Sequence, residues 1–441
     1  MRNFSVLSLL LLFTTVLNAQ NPIVPAGVYI ADPSAHVWAD GKLYIYGSRD
    51  ESPNYYCSWT HHVLSTSDLK TWTIHPNVFA SKGAGDQVSY SDDFLYAPDA
   101  QYKNGVYYLY YCLANNKTTE GVATSKSPVG PFTNGKVIYT KGINQIDPCV
   151  FIDDDGQAYY IWGQFKAKVA KLKSNMTEID TTTIHEDVIN EKEHHFHEGG
   201  YMIKRNGIYY FVYAGIGPAG MPTCISYATA KSPFGPFKYG GIIIDNDHCD
   251  PGNWNNHGSL VEFKGKWYVF YHRATHGSYT MRKACVEPIA FLPDGSIPQV
   301  EMTSQGAGGP LKALNKIEAE QACLLHGNVR VQAYAADQEE LGGIRNEDKA
   351  GYKYIDFGEG VENITVRVAP GAHSGKISFG VDNLWNWPAL ATIEVPGNGD
   401  GKTWQDITVK VNKVKGVHSV WLRLYGEGTD LFKIDWFQFG K

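Results

Sequence analysis

A short pattern recurs five times between residues 30 and 275, and it limits the possible folds more than any other feature of the chain. Each copy has a turn glycine followed by a strand rich in Tyr and Trp. The glycines are Gly41, Gly105, Gly156, Gly207 and Gly265, and Tyr44, Tyr108, Tyr159, Tyr210 and Tyr268 each stand three positions later. The repeat is about 50 to 65 residues long. Asp40–Gly41, Asn104–Gly105, Asp155–Gly156 and Asn206–Gly207 are hairpin signals, and helical periodicity is almost absent from Ile23 to Gln299. Near-duplicate loops, Ser127–Phe132 and Ser232–Phe237, mark an outer strand connection in two copies. Five sheet-forming repeats predict five blades around one axis, a five-bladed β-propeller. A stack of sandwiches would explain neither the repeat nor the offset described next.

Nine residues before three of these glycines stand Asp32, Asp147 and Glu198. In a propeller the innermost strands line the axis, so equivalent positions form a ring at one mouth. The three carboxylates are therefore expected in one pocket despite their separation in the chain. Crowded carboxylates repel one another, which raises at least one pKa and keeps a proton available near neutral pH. One ionised carboxylate and one protonated carboxylic acid suffice to hydrolyse a glycosidic bond. An Asp before Pro, as in Asp32–Pro33 and Asp147–Pro148, is by itself a turn residue; the shared offset argues for the site. Calcium ligation by the same oxygens is a further reading. The run His194–His195–Phe196–His197 lacks a matching Cys or His partner, so zinc is not favoured over histidines that bind a sugar beside Glu198.

With 441 residues, two domains are expected. The net charge of -6 is not clustered into basic patches, so neither nucleic acid nor an anionic membrane is expected as a partner. Arg2, the apolar run Val6–Val16 and Ala19 before Gln20 make residues 1–19 an expected signal peptide. The apolar run is short of the roughly 20 residues of a membrane span, and no cysteine follows the cut to carry a lipid. The mature protein is expected to be exported, periplasmic or extracellular, and soluble. Seven scattered cysteines without a C-x-x-C pair suggest buried thiols rather than zinc or a disulfide scaffold.

Residues 304–316, rich in Gly and small residues with Pro310, are expected to link the domains: a propeller over 20–303 and a second unit over 317–441. In the second unit strands alternate, as in Ile364–Val368, which predicts a β-sandwich or jelly roll. The fold class expected is all-β throughout.

The set Ala31–Asp32–Pro33, Ala97–Pro98–Asp99, Ile146–Asp147–Pro148 and His197–Glu198–Gly199, each leading into an aromatic strand, resembles glycoside hydrolase family 43. The resemblance implies a five-bladed propeller and an inverting enzyme acting mainly on α-L-arabinofuranosides and β-D-xylosides. It implies Asp32 as general base, Glu198 as general acid, and an ionised Asp147 that tunes and orients the acid. Inversion leaves room for a water, so Asp32 and Glu198 are expected roughly 6.5 to 9.5 Å apart. Tyr96, Asp99, His197 and Arg273 are implied near the substrate, with Tyr96 standing where relatives often have Trp. His257 matches a histidine that helps hold a hydrated calcium ion; a buried histidine bonded to backbone is the other reading. A related clan of fructan-cleaving propellers would show Arg and Cys where this chain has Ile146 and Gly199.

Ile317–Glu318–Ala319–Glu320, Tyr354–Phe357 and Ile434–Asp435–Trp436–Phe437 resemble a family 6 carbohydrate-binding module. That match implies a structural calcium at Glu318, Glu320 and Asp435. Trp404, with Tyr352 or Trp385, is implied as a sugar-stacking surface; Trp385 and Trp387 are equally readable as core. Lys433 departs from the asparagine many modules carry. The expected function is hydrolysis of plant cell wall polysaccharide side chains or oligosaccharides, with no redox or nucleotide cofactor. α-L-Arabinofuranosidase leads, with β-xylosidase or a galactose-releasing activity as alternatives and a non-catalytic glycan-binding protein as the competing class.

Overall fold

A computed structural model describes residues 20–115, 119–384 and 388–441. The expected signal peptide and the Trp385 and Trp387 readings lie outside these residues. The only α-helix among the described residues is Glu191–His194.

Residues 30–289 form five antiparallel sheets with strands in sequence order, four strands in each of the first four sheets and three in the fifth. Their first strands are Ile30–Val37, Leu95–Lys103, Cys149–Ile152, Phe196–Arg205 and Ser259–Phe263. Each lies against the next, and the fifth returns to the first, so the five strands close a ring. The local cause is the hairpin chemistry. Asn104–Gly105 and Asn206–Gly207 both have positive φ at both residues, the conformation that tight two-residue hairpins need. The tyrosine three positions on then packs between neighbouring sheets: Tyr44, Tyr159, Tyr210 and Tyr268 are buried and Tyr108 is half-buried.

The fifth sheet is completed by the start of the described chain. Ile23 donates its backbone N–H to the carbonyl of Ala284 at 2.9 Å, and the Asn21 carboxamide oxygen accepts from the Val286 N–H at 2.8 Å. First and last parts of the ring are thereby fastened together.

The second unit consists of two six-stranded sheets facing each other across one apolar core. Alternation reads as expected: Ile364, Val366 and Val368 are fully buried, while Thr365 and Arg367 face outward. Within the stretch expected as a linker, Leu311–Lys312 is a short strand paired in parallel with Lys349–Asp356. All seven cysteines are buried free thiols.

Candidate active site

The first strands of the ring are interrupted where the site residues lie. Register shifts fall between Ala31 and Ser34, between Tyr96 and Asp99, and between Glu198 and Tyr201. Such bulges bend a strand and re-aim its side chains. Asp32 and Asp147 have positive φ (52° and 61°), which aspartate tolerates better than most residues. Gly199 also has positive φ, and a Cβ there would come within 2.7 Å of the His257 ring, so only glycine allows that histidine to approach. These distortions turn Asp32, Tyr96, Asp147 and Glu198 into one cavity of about 210 Å³. His197 and His257 line it too, with Tyr56, Cys57, Gln164, Trp254, Asn255 and Arg282.

Asp32 sits at the base of a dense network. Its Oδ1 accepts from the Arg282 guanidinium at 2.8 Å and its Oδ2 from the Ser48 hydroxyl at 2.6 Å. Burial pushes the Asp32 pKa up, but Arg282, His257, His272 and Ser48 together outweigh it and hold the group at about 2. Arg282 is itself held by Asp50 through Nε at 2.9 Å and a second nitrogen at 3.0 Å. His272 accepts the Asp32 backbone N–H at Nδ1 (3.3 Å), so its other nitrogen carries the proton and faces the Asn255 carbonyl at 3.2 Å. Burial, with Arg282 nearby, lowers the His272 pKa to about 3, so this ring stays neutral.

Glu198 stands on the other side. Its Oε2 accepts from the Gln164 carboxamide at 2.8 Å, and its Oε1 lies 3.4 Å from the Asn255 amide nitrogen. Asp147 is buried, and burial together with the charges of Glu198 and Asp32 raises its pKa well above the carboxylate range. This differs from the expectation that Asp147 stays ionised to protonate its neighbour: Asp147 is the group whose proton affinity rises. Asp147 therefore tends to keep its proton while Asp32 is ionised. The arrangement can give a proton on one side and take one on the other.

Two expected substrate contacts lie elsewhere. Asp99 is 1 % exposed and does not line the cavity. It joins three sheets, accepting from Ser34 (2.5 Å), from His36 (2.7 Å) and from the Val150 N–H (2.7 Å). The position at the carboxylates' offset in that repeat is Tyr96, three residues earlier, and it does line the cavity. Arg273 is buried on the far face of its strand, bonded to the Tyr271 hydroxyl (2.8 Å) and the Thr303 carbonyl and 3.7 Å from Glu287. Alternation explains the miss, because neighbouring His272 faces Asp32 and Arg273 must then face away. The cavity's cation is Arg282, one strand later.

No group of three or more His, Cys, Asp or Glu among the described residues is arranged to hold a metal ion. His257 Nδ1 lies 3.6 Å from Asp32 and 3.9 Å from Asp147, and the positive charge there comes from Arg282. In the second unit Asp435 accepts from the Tyr334 hydroxyl (3.0 Å) and lies 3.2 Å from the Arg367 guanidinium. Glu318 is partly buried nearby, and Glu320 has a buried oxygen without a partner, burial pushing its pKa up to about 8. Asp435 is thus engaged by Tyr334 and Arg367, while the unpartnered Glu320 oxygen is a donor that a structural calcium would fit. Trp404 is half-buried, packed on Tyr334 (5.1 Å) below Arg367, whereas Tyr352 is fully buried core rather than a sugar surface.

Comparison with known proteins gives two family matches: Glycosyl hydrolases family 43 over residues 19–297, and Carbohydrate binding module (family 6) over 318–441. A xylosidase/arabinosidase of Thermoclostridium stercorarium is 31% identical over 94% of this chain and 97% of its own. A solved family 43 arabinoxylan arabinofuranohydrolase from Bacillus subtilis, in complex with cellotetraose, is similar with a TM-score of 0.56 and 29% identity, covering 96% of this chain and 98% of that one. A family 43 β-xylosidase/α-arabinofuranosidase from a compost metagenome, in a calcium-free form with xylotriose, matches 65% of this chain and 98% of its own with a TM-score of 0.56 and 30% identity.

Proposed function

This chain belongs to glycosyl hydrolases family 43, with a family 6 carbohydrate-binding module behind the enzyme domain, and on that premise we propose that it is an exported α-L-arabinofuranosidase. The ring of five sheets is read as a five-bladed propeller over residues 20–303, and the paired sheets as a jelly roll over 317–441 that recruits glycan. The observation that carries the reading is one small cavity in which an ionised Asp32 under Arg282 faces Glu198 and an Asp147 whose carboxyl is held protonated by burial and by the charges of Glu198 and Asp32. Nothing in this chemistry calls for a redox or nucleotide cofactor.

In the proposed single displacement, Asp32 takes a proton from water as the water oxygen bonds to the anomeric carbon. The bond from that carbon to the leaving oxygen breaks on the opposite face, and Glu198 gives that oxygen its proton. Asp147, buried in the same cavity with its proton affinity raised, is the proton source from which Glu198 is protonated again. Gln164 and Asn255 hold the acid's two oxygens in place.

The names of similar proteins support β-xylosidase equally, so the released sugar is to be settled by assay. The test is turnover of aryl α-L-arabinofuranoside, β-D-xyloside and β-D-galactoside by wild type and Asp32→Asn. Turnover of an arabinofuranoside that falls about 10³-fold in the variant is the expected result. Xyloside turnover alone would replace the substrate, and equal rates in both proteins would overturn the role of Asp32. Depletion of the protein from solution by polysaccharide, with none of the three glycosides turned over, would favour a glycan-binding protein.

A further inference from the structure

Gln145 lies two residues before Asp147 and does not line the cavity, yet the support of Glu198 leads back to it. Its carboxamide oxygen accepts two bonds, from the Gln164 backbone N–H at 2.6 Å and from the Lys168 ammonium at 2.8 Å. The Gln164 side chain in turn donates to Oε2 of Glu198 at 2.8 Å. On its other side the Gln145 backbone N–H donates to the Glu120 carboxyl at 2.7 Å. One residue therefore fastens both the loop that carries Asp147 and the segment that carries Gln164.

Residues 163–165 would not take this shape unaided. Gly163 and Phe165, on either side of Gln164, have φ of 128° and 61°, and a bulky residue such as phenylalanine avoids that region. Three successive N–H groups hold the segment there. Gly163 donates to the Ile146 carbonyl at 2.9 Å, Gln164 to the Gln145 side chain, and Phe165 to the His197 carbonyl at 2.7 Å. A Cβ on residue 163 would stand 3.0 Å from the Gln145 oxygen and 3.1 Å from the Lys168 nitrogen, so glycine leaves the room that their junction occupies. Backbone strain of this kind persists where the surroundings over-determine it, and it gathers at functional sites.

Lys168 settles which way Gln145 faces. It is 5% exposed, and its ammonium, bonded also to the Lys166 carbonyl at 2.9 Å, can only donate. The Gln164 backbone N–H can likewise only donate. With two such donors at one atom, the Gln145 carboxamide is fixed with its oxygen inward. Burying a charge is costly, and here it sets the direction of a neutral side chain.

We propose that Gln145, oriented by Lys168, is a positioning residue for the general acid: it holds Gln164 so that the Gln164 amide keeps Glu198 aimed at the leaving oxygen. This rests on the glycosidase reading above and adds to it the route by which the acid is aimed.

The test compares full-length wild type, Gln145→Met, Gln145→Glu and the double variant Gln145→Met with Lys168→Met. The substrates are phenyl and dinitrophenyl α-L-arabinofuranoside, or the matching β-D-xylosides if xylose is the released sugar. Phenoxide departs only with the acid's proton, whereas dinitrophenoxide departs without it. Gln145→Met is expected to lower kcat/KM about tenfold on the phenyl glycoside and less than about twofold on the dinitrophenyl glycoside. Gln145→Glu keeps an oxygen for both donors and is expected to recover most of the phenyl rate. The double variant leaves no buried ammonium short of a partner and is expected to show the same selective loss. Equal losses on both glycosides in the two Met variants would mean that Gln145 serves the fold alone, and would overturn the proposal. An unchanged phenyl rate in Gln145→Met, or no recovery in Gln145→Glu, would overturn it as well. Wild type that turns over neither glycoside would overturn the glycosidase reading itself, a different failure from a lost ratio.

Discussion

Asp32 and Arg282 carry the electrostatics of the cavity, and only one of the pair is visible in the repeat. Asp32 falls at the shared offset before a turn glycine, whereas Arg282 lies on the third strand of the fifth sheet, outside that offset. The folded pKa of Asp32 is depressed, so its contribution to stability is complete above the unfolded value of about 4 and is lost as pH falls toward 2. In Arg282→Met, burial dominates and the Asp32 pKa rises. The acid limb of the kcat/KM profile is expected to move up by about one unit or more, with the plateau down about 10²-fold. An acid limb that stays where wild type has it would show that Arg282 does not hold the base ionised. Asp99 and Arg273 teach the opposite lesson. Both residue types suit a sugar site, and both are spent on structure, because a neighbouring position on the strand faces the other way.

Elements set these directions. Bulges at Pro33, Ala97–Pro98 and Gly199–Gly200 bend three first strands, and the ends of those strands then converge. The convergence depends on a closed ring, which rests on the segment at Asn21–Ile23. Asn21 is fully buried and its amide donates to Val286 (3.0 Å), Glu287 (2.8 Å) and Thr303 (3.1 Å) while its oxygen accepts from the Val286 N–H. Asn21→Ala strips these bonds from buried groups and is expected to cost about 3 kcal/mol, read as a lower denaturant midpoint with an unchanged slope. A midpoint equal to that of wild type would mean that the ring closes without this fastening.

At the scale of the whole molecule, the second unit grips the strand that presents Arg282. The next residue, Lys283, faces the other way and pairs with Glu339 of the sandwich, and both side chains are buried. The Tyr29 hydroxyl also donates to Glu339 at 2.8 Å, and the Tyr29 carbonyl accepts the N–H of Asp50, the partner of Arg282. Glu339→Gln leaves an ammonium buried without a counter-charge and is expected to cost about 3 to 5 kcal/mol, whereas Lys283→Met with Glu339→Leu recovers most of it. Chemical unfolding of the three proteins checks this; equal losses in the single and double variants would show that the pair's charge is not what matters. The two units are joined through the active-site strand, so the sandwich is braced on the enzyme.

Local chemistry is what the sequence determined by itself. Hairpin turns, aromatic strands and alternation need only neighbours along the chain, so the all-β class, the five repeats and the two units are legible in it. The three carboxylates are legible for the same reason, since a repeat places equivalent residues alike. Tertiary structure decided what surrounds them. Arg282, Asn255 and Trp254 come from other strands and loops, with His272 behind Asp32, and they meet at the cavity only after the ring has closed and the bulges have turned its strands. Which aspartate titrates high also depends on burial and on charges brought from distant repeats, quantities that no local pattern contains.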